Sequence, residues 1–169
     1  GDPDSGGDAS SVADKLVGVT LLCSNHRAFA ALRLDQVVCW GDPSFGGQEH
    51  VTSGAEIVAL YSTGHAFAAR TSSGRLVTWG DPAGGGDSSV VQFRLNDIFD
   101  VYTNGQAFVA LTRGGAAVVW GAGDSGDASA VREQLENEVV SVCCCASAFA
   151  ACKFDGTVVA WGCKTNGGD

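Results

Sequence analysis

The sequence predicts an all-β fold, a β-propeller-like repeat array of four blades, and three observations support this. Trp-Gly occurs four times at spacings of 39, 41 and 41 residues, an Ala-Phe pair precedes each copy, and Gly accounts for 24 of the 169 residues. A period near forty with several short strands per unit is typical of propeller blades. The aromatic residues predicted to form the structural core of the repeat are Trp40, Trp79, Trp120, Trp161, Phe29, Phe67, Phe108 and Phe149.

Each unit repeats the same order of segments. An apolar run comes first, then the Ala-Phe run of small residues, then a turn, and last a β-branched run that ends in Trp. This order predicts three to four antiparallel strands joined by hairpin turns. The apolar runs lie at 17–23, 57–61, 98–102 and 139–145. We therefore expect one repeat domain, 1–169, with units at about 1–41, 42–80, 81–121 and 122–162 and the start of a further loop at 163–169.

The segments between units carry short helical signals. After each Gly-rich loop, Asp or Ser precedes a patterned apolar stretch at 10–16, 88–95 and 129–135. Such stretches predict one or two capped helical turns. The segment from Gln48 to Glu56 lacks this pattern, so its loop is expected to differ. The hairpin turn of the first unit is placed at Asp35-Gln36.

The sizes of the repeated residues favour stacked blades. Small Ala residues in the middle strand allow neighbouring sheets to approach closely, and Trp and Phe are large enough to fill the wedge between blades. A β-solenoid and a sandwich-like stack of four units are the alternatives. The first residues, 1–3, are in register with 41–43 and 80–82, and the chain ends in the same loop. We therefore expect a partial or open propeller, a section of a longer array.

The charge of the chain disfavours nucleic acid binding, and its hydropathy disfavours a transmembrane segment. The formal net charge is −9, so the surface repels phosphate backbones and nucleic acid binding is not expected. No window of eighteen consecutive apolar residues occurs, so no transmembrane segment is predicted. Peripheral association with a membrane complex stays compatible with the sequence.

The second unit resembles a known family of repeats. Residues 64–69, Gly-His-Ala-Phe-Ala-Ala, and 74–80, Gly-Arg-Leu-Val-Thr-Trp-Gly, are similar to repeats of the regulator of chromosome condensation family. The third unit, with Ala-Leu-Thr at 110–112, and the first, with Gly-Gly-Gln at 46–48, also look similar. The resemblance implies a propeller. The best-known member of the family promotes nucleotide exchange on a small GTPase.

The chain departs from that family in two ways. The family's units run near fifty residues and close a seven-bladed ring, whereas these run near forty and four are present. The family's characteristic His position holds alanine in every unit, at Ala28, Ala66, Ala107 and Ala148. No residue of an exchange site carries over. The shorter unit, with its Trp-Gly-Asp-Pro loops, is similar to arrays in photosynthetic protists.

The cysteines and histidines do not form a recognisable chemical motif. The seven cysteines are Cys23, Cys39, Cys143, Cys144, Cys145, Cys152 and Cys163. We interpret them as small hydrophobic residues of the core; a disulfide, of Cys152 with Cys163 or of Cys39 with a neighbour, is the alternative. Consecutive strand residues alternate faces, so a metal site at 143–145 is disfavoured. His26 and His65 share one turn position and His50 stands apart, so no catalytic residue, metal ligand or cofactor is predicted.

Aspartates recur in the loops at one edge of the array. They are interpreted as turn formers and helix caps rather than Ca²⁺ ligands, because their spacing does not match a calcium loop. Loops also carry the differences between the units, and we expect a partner to bind there. The predicted partner-binding loop residues are Asp42, Phe45, Asp81, Asp87, Asp124 and Asp127.

These observations predict a non-catalytic scaffold that binds protein partners through its loops. A more specific version, resting on the protist-like repeats alone, is an accessory subunit of a large organellar assembly, such as a photosynthetic one. The alternatives are a nucleotide-exchange regulator of a small GTPase and a hydrolase with its site on the propeller axis. The irregular cysteines weakly favour a reducing compartment, such as cytosol, nucleus or plastid stroma, and the sequence does not identify which one.

Overall fold

A computed structural model describes residues 1–34, 36–48 and 56–168. These residues form four three-stranded antiparallel sheets, the blades, in which the strands lie side by side in chain order. The strands are β1 Val19–Ser24, β2 Ala28–Arg33, β3 Gln36–Gly41, β4 Ile57–Ser62, β5 Ala66–Thr71, β6 Leu76–Gly80, β7 Ile98–Thr103, β8 Ala107–Thr112, β9 Ala117–Gly121, β10 Val139–Cys144, β11 Ala148–Lys153 and β12 Val158–Gly162. The predicted all-β array of four blades is confirmed.

Short helical turns connect the blades. They span Pro3–Ser5, Ser10–Lys15, Pro43–Phe45, Pro82–Gly86, Gln92–Arg94, Gly123–Gly126, Ser129–Leu135 and Lys164–Asn166. Turns therefore occur in all three stretches where the sequence predicts them. None of the helical segments in the described part of the chain has the length and apolar character needed to cross a membrane.

Several expectations fall on residues outside the described ranges. Asp35 of the first hairpin turn, His50 and the terminal Asp169 belong to this group. So does most of the segment between Gln48 and Glu56 whose loop was expected to differ.

The Phe and Trp of each unit lie side by side on one face of their blade. Phe67 of β5 pairs with Trp79 of β6 in the antiparallel register, and the other three blades repeat this pairing. The two rings stack with centroids 5.1 to 5.5 Å apart in every blade. Residues directly opposite on paired strands point to the same face, so the strand register alone brings the two rings together.

The opposite face of each blade is lined by small residues and receives the aromatic pair of the next blade. Phe108 and Trp120 of the third blade pack in one cluster with Ala66, Ala68 and Leu76 of the second. The same arrangement joins the first blade to the second and the third to the fourth. Small residues and aromatic pairs therefore meet at each of the three interfaces between successive blades.

The first strands of successive blades lie next to one another on the inner side of the array. β1 contacts β4, β4 contacts β7, and β7 contacts β10. Each has a register irregularity near its start. Ser62 Oγ donates a hydrogen bond to the Ser24 carbonyl oxygen at 2.8 Å, and Cys144 Sγ donates to the Thr103 carbonyl oxygen at 3.1 Å. One polar side chain at the end of these strands therefore links the second blade to the first, and another links the fourth blade to the third.

The loops after Trp40-Gly41 and Trp79-Gly80 cover the aromatic pair of the following blade. A Cβ atom at Gly46 would lie 2.9 Å from Cδ1 of Trp79, and one at Gly85 would lie 2.8 Å from Cδ2 of Phe108. Both glycines have positive φ. Trp120 Nε1 donates to the Gly85 carbonyl oxygen at 3.0 Å. These positions require glycine both for the backbone conformation and for the close approach.

The interpretation of the cysteines as hydrophobic core residues is correct for only some of the seven. Cys39 is buried, and burial beside Cys39 raises the pKa of Cys23 to about 12. Cys143, Cys144 and Cys145, in contrast, are exposed, at and just after the end of β10. The register also makes Cys143, opposite Ala150, the counterpart of Cys23, opposite Ala30. None of the seven cysteines forms a disulfide, so neither disulfide alternative is present.

We expect the aromatic pair to control stability. Replacing the fully buried Phe108 with Ala leaves a cavity between two blades and should lower the free energy of unfolding by about 3 to 5 kcal/mol. Phe154, which is 83% exposed, is the matched control, and its replacement by Ala should change stability by less than about 0.5 kcal/mol. Urea unfolding followed by Trp fluorescence measures both. Equal effects of the two substitutions would contradict the packing described.

Candidate interaction surface

The aspartates that follow Trp-Gly shape their own loops. The Asp42 carboxylate accepts a hydrogen bond from the Ser44 amide at 2.9 Å, and Asp81 accepts one from the Ala83 amide at 3.1 Å. Asp42 also lies 3.1 Å from the Arg27 guanidinium. Asp42 and Asp81, both predicted to bind a partner, therefore form turns. Turn formation is also the structural role that the sequence analysis gave to the loop aspartates.

A second set of aspartates precedes the helical turns. Asp87 accepts from the Ser89 amide at 2.8 Å, and Asp127 accepts from the Ser129 amide at 2.9 Å. These backbone hydrogen bonds, together with those of the serine side chains, lower the pKa of both carboxyls. Both aspartates are exposed, so they combine a turn-forming role with a negative charge at the surface.

A side chain at the tip of the first hairpin of each blade fixes the loop after Trp-Gly. Asn25 Nδ2 donates to the Phe45 carbonyl oxygen at 2.7 Å, and Thr63 Oγ1 donates to the Gly84 carbonyl oxygen at 3.1 Å. In the third and fourth blades the corresponding contacts are Asn104 Nδ2 to Ser125 Oγ at 3.2 Å and Cys145 Sγ to the Asn166 carbonyl oxygen at 3.4 Å. We call these four side chains the tip anchors.

The tip anchors also stabilise their own turns. Asn25 Oδ1 accepts from the amides of Arg27 and Ala28, and Thr63 Oγ1 accepts from the two amides at the same positions of its turn. One side chain thus closes a hairpin tip and holds the loop that covers the next blade. Sequence reasoning missed them. The available signal was an Asn, Thr, Asn or Cys three residues before the Ala of each Ala-Phe pair.

The two described histidines lie at an interface between blades. The rings of His26 and His65 have centroids 5.4 Å apart, and the Phe45 ring lies 5.5 Å from that of His65. The His26 amide donates to the Gly64 carbonyl oxygen at 3.2 Å. This arrangement agrees with the predicted turn role. Within the described ranges no group of three or more His, Cys, Asp or Glu side chains could hold a metal ion.

The inner strands carry little ionisable chemistry. Among the residues of β1, β4, β7 and β10, Asp100 is the one carboxylate, and it accepts a hydrogen bond from the Tyr61 hydroxyl at 3.1 Å. Burial raises the pKa of that hydroxyl. These strands do not supply the several carboxylates or histidines that a hydrolase on the propeller axis would need.

An apolar groove lies on the outer side of the third and fourth blades. It has a volume of about 390 Å³, and the turns Gln92–Arg94 and Ser129–Leu135 line it. Val90 and Phe93 contribute side chains that are 86% and 74% exposed. We call this feature the rim groove. The sequence analysis treated the stretch 88–95 as a helical turn and did not mark Phe93 as an exposed apolar side chain.

Polar residues border a second cavity beside the rim groove. This cavity of about 460 Å³ is lined by Asp124, Asp127, Lys164 and Trp161, and it shares Asp127 and Ser129 with the rim groove. The structure therefore brings Asp124 and Asp127 together. Two of the remaining predicted residues line separate clefts of about 370 Å³ each, Asp87 with Ser88 and Gln92, and Asp42 with Arg27 and Pro3.

Comparison with known proteins identifies the fold. Yeast RCC1 (Prp20), solved with Kap60 bound to it, matches 90% of this chain with a TM-score of 0.62 and 15% identity. The CRINKLY WD40 ectodomain of the Arabidopsis thaliana receptor kinase ACR4 matches 87% with a TM-score of 0.59 and 16% identity, and human WBSCR16 matches 85% with a TM-score of 0.56 and 16% identity. The fold is an open, RCC1-like propeller.

The likeness is confined to the fold and to part of each relative. The chain covers 45% of yeast RCC1, 51% of the ACR4 ectodomain and 47% of WBSCR16, about half of each solved chain. No protein-family model matches the sequence, and no curated protein matches it.

The tip anchors should control the loops they hold. Asn25→Asp keeps the oxygen that closes the turn but loses the donor to Phe45, whereas Asn25→Ala loses both. We expect the first to increase hydrogen exchange at the Gly46 and Gly47 amides, and the second to lower the free energy of unfolding by about 1 to 3 kcal/mol as well. The exposed Asn137, replaced by Ala, is the control. Unchanged exchange in Asn25→Asp would show that the anchor does not hold the loop.

The turn-forming aspartates Asp87 and Asp127 should respond to acid. A lowered pKa means that the folded state favours the ionised carboxylate, so this stabilisation is present above the unfolded-state pKa and is lost as the pH falls through the folded-state pKa. The Ser89 and Ser129 amide resonances should therefore titrate below the ordinary Asp value of about 3.9. NMR titration measures this, and Asp87→Asn should abolish the transition at Ser89 alone.

Proposed function

We propose that this chain is a non-catalytic interaction module that binds a protein partner along the rim groove. The observation that carries the proposal is the pair of exposed apolar side chains, Val90 and Phe93, on an open groove of about 390 Å³. Contiguous exposed apolar surface bordered by polar residues is a common mark of a protein-binding site. The neighbouring blades supply a rigid frame for it.

The charges around the rim groove suggest the chemistry of the partner. Arg94 lies 2.9 Å from the Glu136 carboxylate and Arg132 lies 3.6 Å from it, so the cations at the groove are already paired. Asp124 and Asp127 are exposed beside it, and the whole chain carries a net charge of −9. A partner segment with apolar anchors flanked by Lys or Arg would complement this surface.

The structural neighbours support a protein partner in general terms. Yeast RCC1 (Prp20) has been solved bound to Kap60, and a second structure of that protein is described together with its binding to Gsp1p and histones. Kap60, Gsp1p and histones are named as partners of yeast RCC1 and are not assigned to this chain. A role for this chain as an accessory subunit of a large organellar assembly remains part of the proposal and rests on the sequence resemblance.

Co-purification from the native source tests the proposal. We expect Phe93→Ser to reduce recovery of the partner by about tenfold or more, because a buried aromatic anchor commonly contributes about 2 kcal/mol to an interface. Phe154→Ser removes an equally exposed Phe outside the rim groove and should leave recovery unchanged. Quantitative mass spectrometry of the co-purified proteins measures both, and equal recovery with the two variants would refute the assignment of the groove.

The alternative function stays a prediction from the sequence. A nucleotide-exchange regulator would accelerate nucleotide release from a small GTPase. A release assay across a panel of GTPases distinguishes it from the scaffold, for which no acceleration is expected.

A further inference from the structure

We propose that Asn104 is a site of spontaneous deamidation, and that its conversion to aspartate or isoaspartate releases the loop that this tip anchor holds. The site is the hairpin tip between β7 and β8 of the third blade. The reaction consumes water and uses only groups of the turn itself. It does not require that the rim groove binds a partner.

The reaction is an attack of the backbone on the neighbouring side chain. The amide nitrogen of Gly105 bonds to Cγ of Asn104, and its proton passes through water to Nδ2, which leaves as ammonia. The product is a five-membered succinimide ring. Water then adds to one of the two ring carbonyls and opens the ring, so residue 104 becomes aspartate or isoaspartate. Neither step is an oxidation or a reduction.

Two backbone amides already surround the oxygen on which negative charge develops. Asn104 Oδ1 accepts hydrogen bonds from the amides of Gln106 and Ala107, both at 2.9 Å. Attack on Cγ places negative charge on Oδ1 in the tetrahedral intermediate. Fixed donors at about 2.7 to 3.1 Å from such an oxyanion lower the barrier to its formation. The turn that this side chain closes therefore also activates its Cγ.

The attacking nitrogen is unhindered and available. Gly105 is exposed, and nothing lies within 4 Å of a Cβ built at this residue. Glycine also leaves the backbone free to adopt the conformation of the ring. Within the described ranges the Gly105 amide donates no hydrogen bond. Its proton is therefore removed without the loss of a protein contact.

The available amide lies where a row of contacts between blades ends. At the hairpin tips the His26 amide donates to the Gly64 carbonyl oxygen at 3.2 Å, and the Gly64 amide donates to the Gly105 carbonyl oxygen at 3.0 Å. Ala146 occupies the corresponding position of the fourth blade, which is described, but the Gly105 amide does not donate to it. The row thus stops at the nitrogen that reacts.

Two other asparagines share only part of this arrangement. Asn25 Oδ1 also accepts two amide hydrogen bonds, but the next residue is His26, whose amide is itself bonded. Asn166 precedes a glycine, but the Gly167 amide donates to the Lys164 carbonyl oxygen at 3.5 Å. Of the three asparagines, only that of the third blade combines the two donors at Oδ1 with a following glycine and an available amide.

Deamidation removes the donor that holds the following loop. Asn104 Nδ2 donates to Ser125 Oγ at 3.2 Å, and Ser125 is fully buried. Neither aspartate nor isoaspartate has a donor at this position when ionised. The next two residues of the loop, Gly126 and Asp127, line the rim groove. The modification therefore changes the support of one wall of that groove.

Isoaspartate has a second effect, which aspartate lacks. It routes the backbone through the former side chain and lengthens the backbone by one methylene group. The Gly105 carbonyl oxygen then moves relative to the Gly64 amide, which donates to it at 3.0 Å. The contact between the tips of the second and third blades should therefore weaken in isoaspartate alone.

Timed incubation of the full chain at neutral pH, followed by peptide mapping, tests the proposal. We expect residue 104 to gain about 1 Da and to separate into aspartate and isoaspartate forms on chromatography. Product at residue 104 should exceed that at Asn25 and Asn166 by at least about tenfold. In urea, residues 104 and 166 should react alike, since both precede glycine. Equal product at the three sites of the folded chain, or none at residue 104, would overturn the proposal.

Two glycine substitutions isolate the attacking nitrogen. Gly105→Ala adds a Cβ beside this nitrogen and should slow deamidation at residue 104 by at least about tenfold. Gly114→Ala, in the other hairpin turn of the same blade, is the matched control and should leave the rate unchanged. Neither glycine has positive φ and neither position is crowded, so folding should persist, and circular dichroism verifies this. Equal rates in the two variants would contradict the assignment.

Hydrogen exchange tests the release of the loop. The Gly126 amide should exchange faster in the deamidated chain, and also in Asn104→Asp, which supplies the aspartate product alone. The Gly64 amide should exchange faster only in chains that contain isoaspartate, because Asn104→Asp keeps a normal backbone. Unchanged exchange at Gly126 in both proteins would show that the loop is not released and would overturn the proposal. Loss of partner binding in Phe93→Ser does not bear on any of these results.

Discussion

The contact between a Phe–Trp pair and the alanine face of the preceding blade determines most of this structure. Burying one large apolar side chain contributes about 1.5 to 3 kcal/mol, and each internal interface buries two aromatic ones. The pair forms because the register of the second and third strands places Phe opposite Trp. The contact also explains the glycines at positions 46 and 85 of the loops. Only a residue without a Cβ can lie against the rings, as Gly46 and Gly85 do.

The sequence predicted this contact because its residues repeat. Trp79 and Phe67 mark one period, the alanines mark the facing surface, and both roles follow from size alone. The exposed thiols at 143–145 could not be predicted in this way, because three consecutive cysteines carry no size pattern that separates buried positions from exposed ones. Phe93 was also missed, because an apolar residue in a short helical turn has no period that distinguishes the inner side from the outer.

The tip anchors explain how a repeat with a thin core remains ordered. A blade of three strands has two faces and little interior of its own, so its order depends on its neighbours. Asn25 joins the hairpin tip of one blade to the loop whose Gly46 lies on the rings of the next. A hydrogen bond at an exposed turn is thereby coupled to an apolar contact between blades.

The rim groove and the interfaces between blades differ in what they can recognise. Each internal interface repeats the same contact of a Phe–Trp pair with small residues, so it selects by shape rather than by charge. The rim groove has no internal counterpart, and its setting combines Phe93 and Val90 with the carboxylates of Asp124 and Asp127. Selectivity among unrelated proteins needs such a local combination of apolar and charged groups. Packing of the blades should therefore depend on the Phe–Trp contacts, and recognition of an unrelated partner should depend on the rim groove.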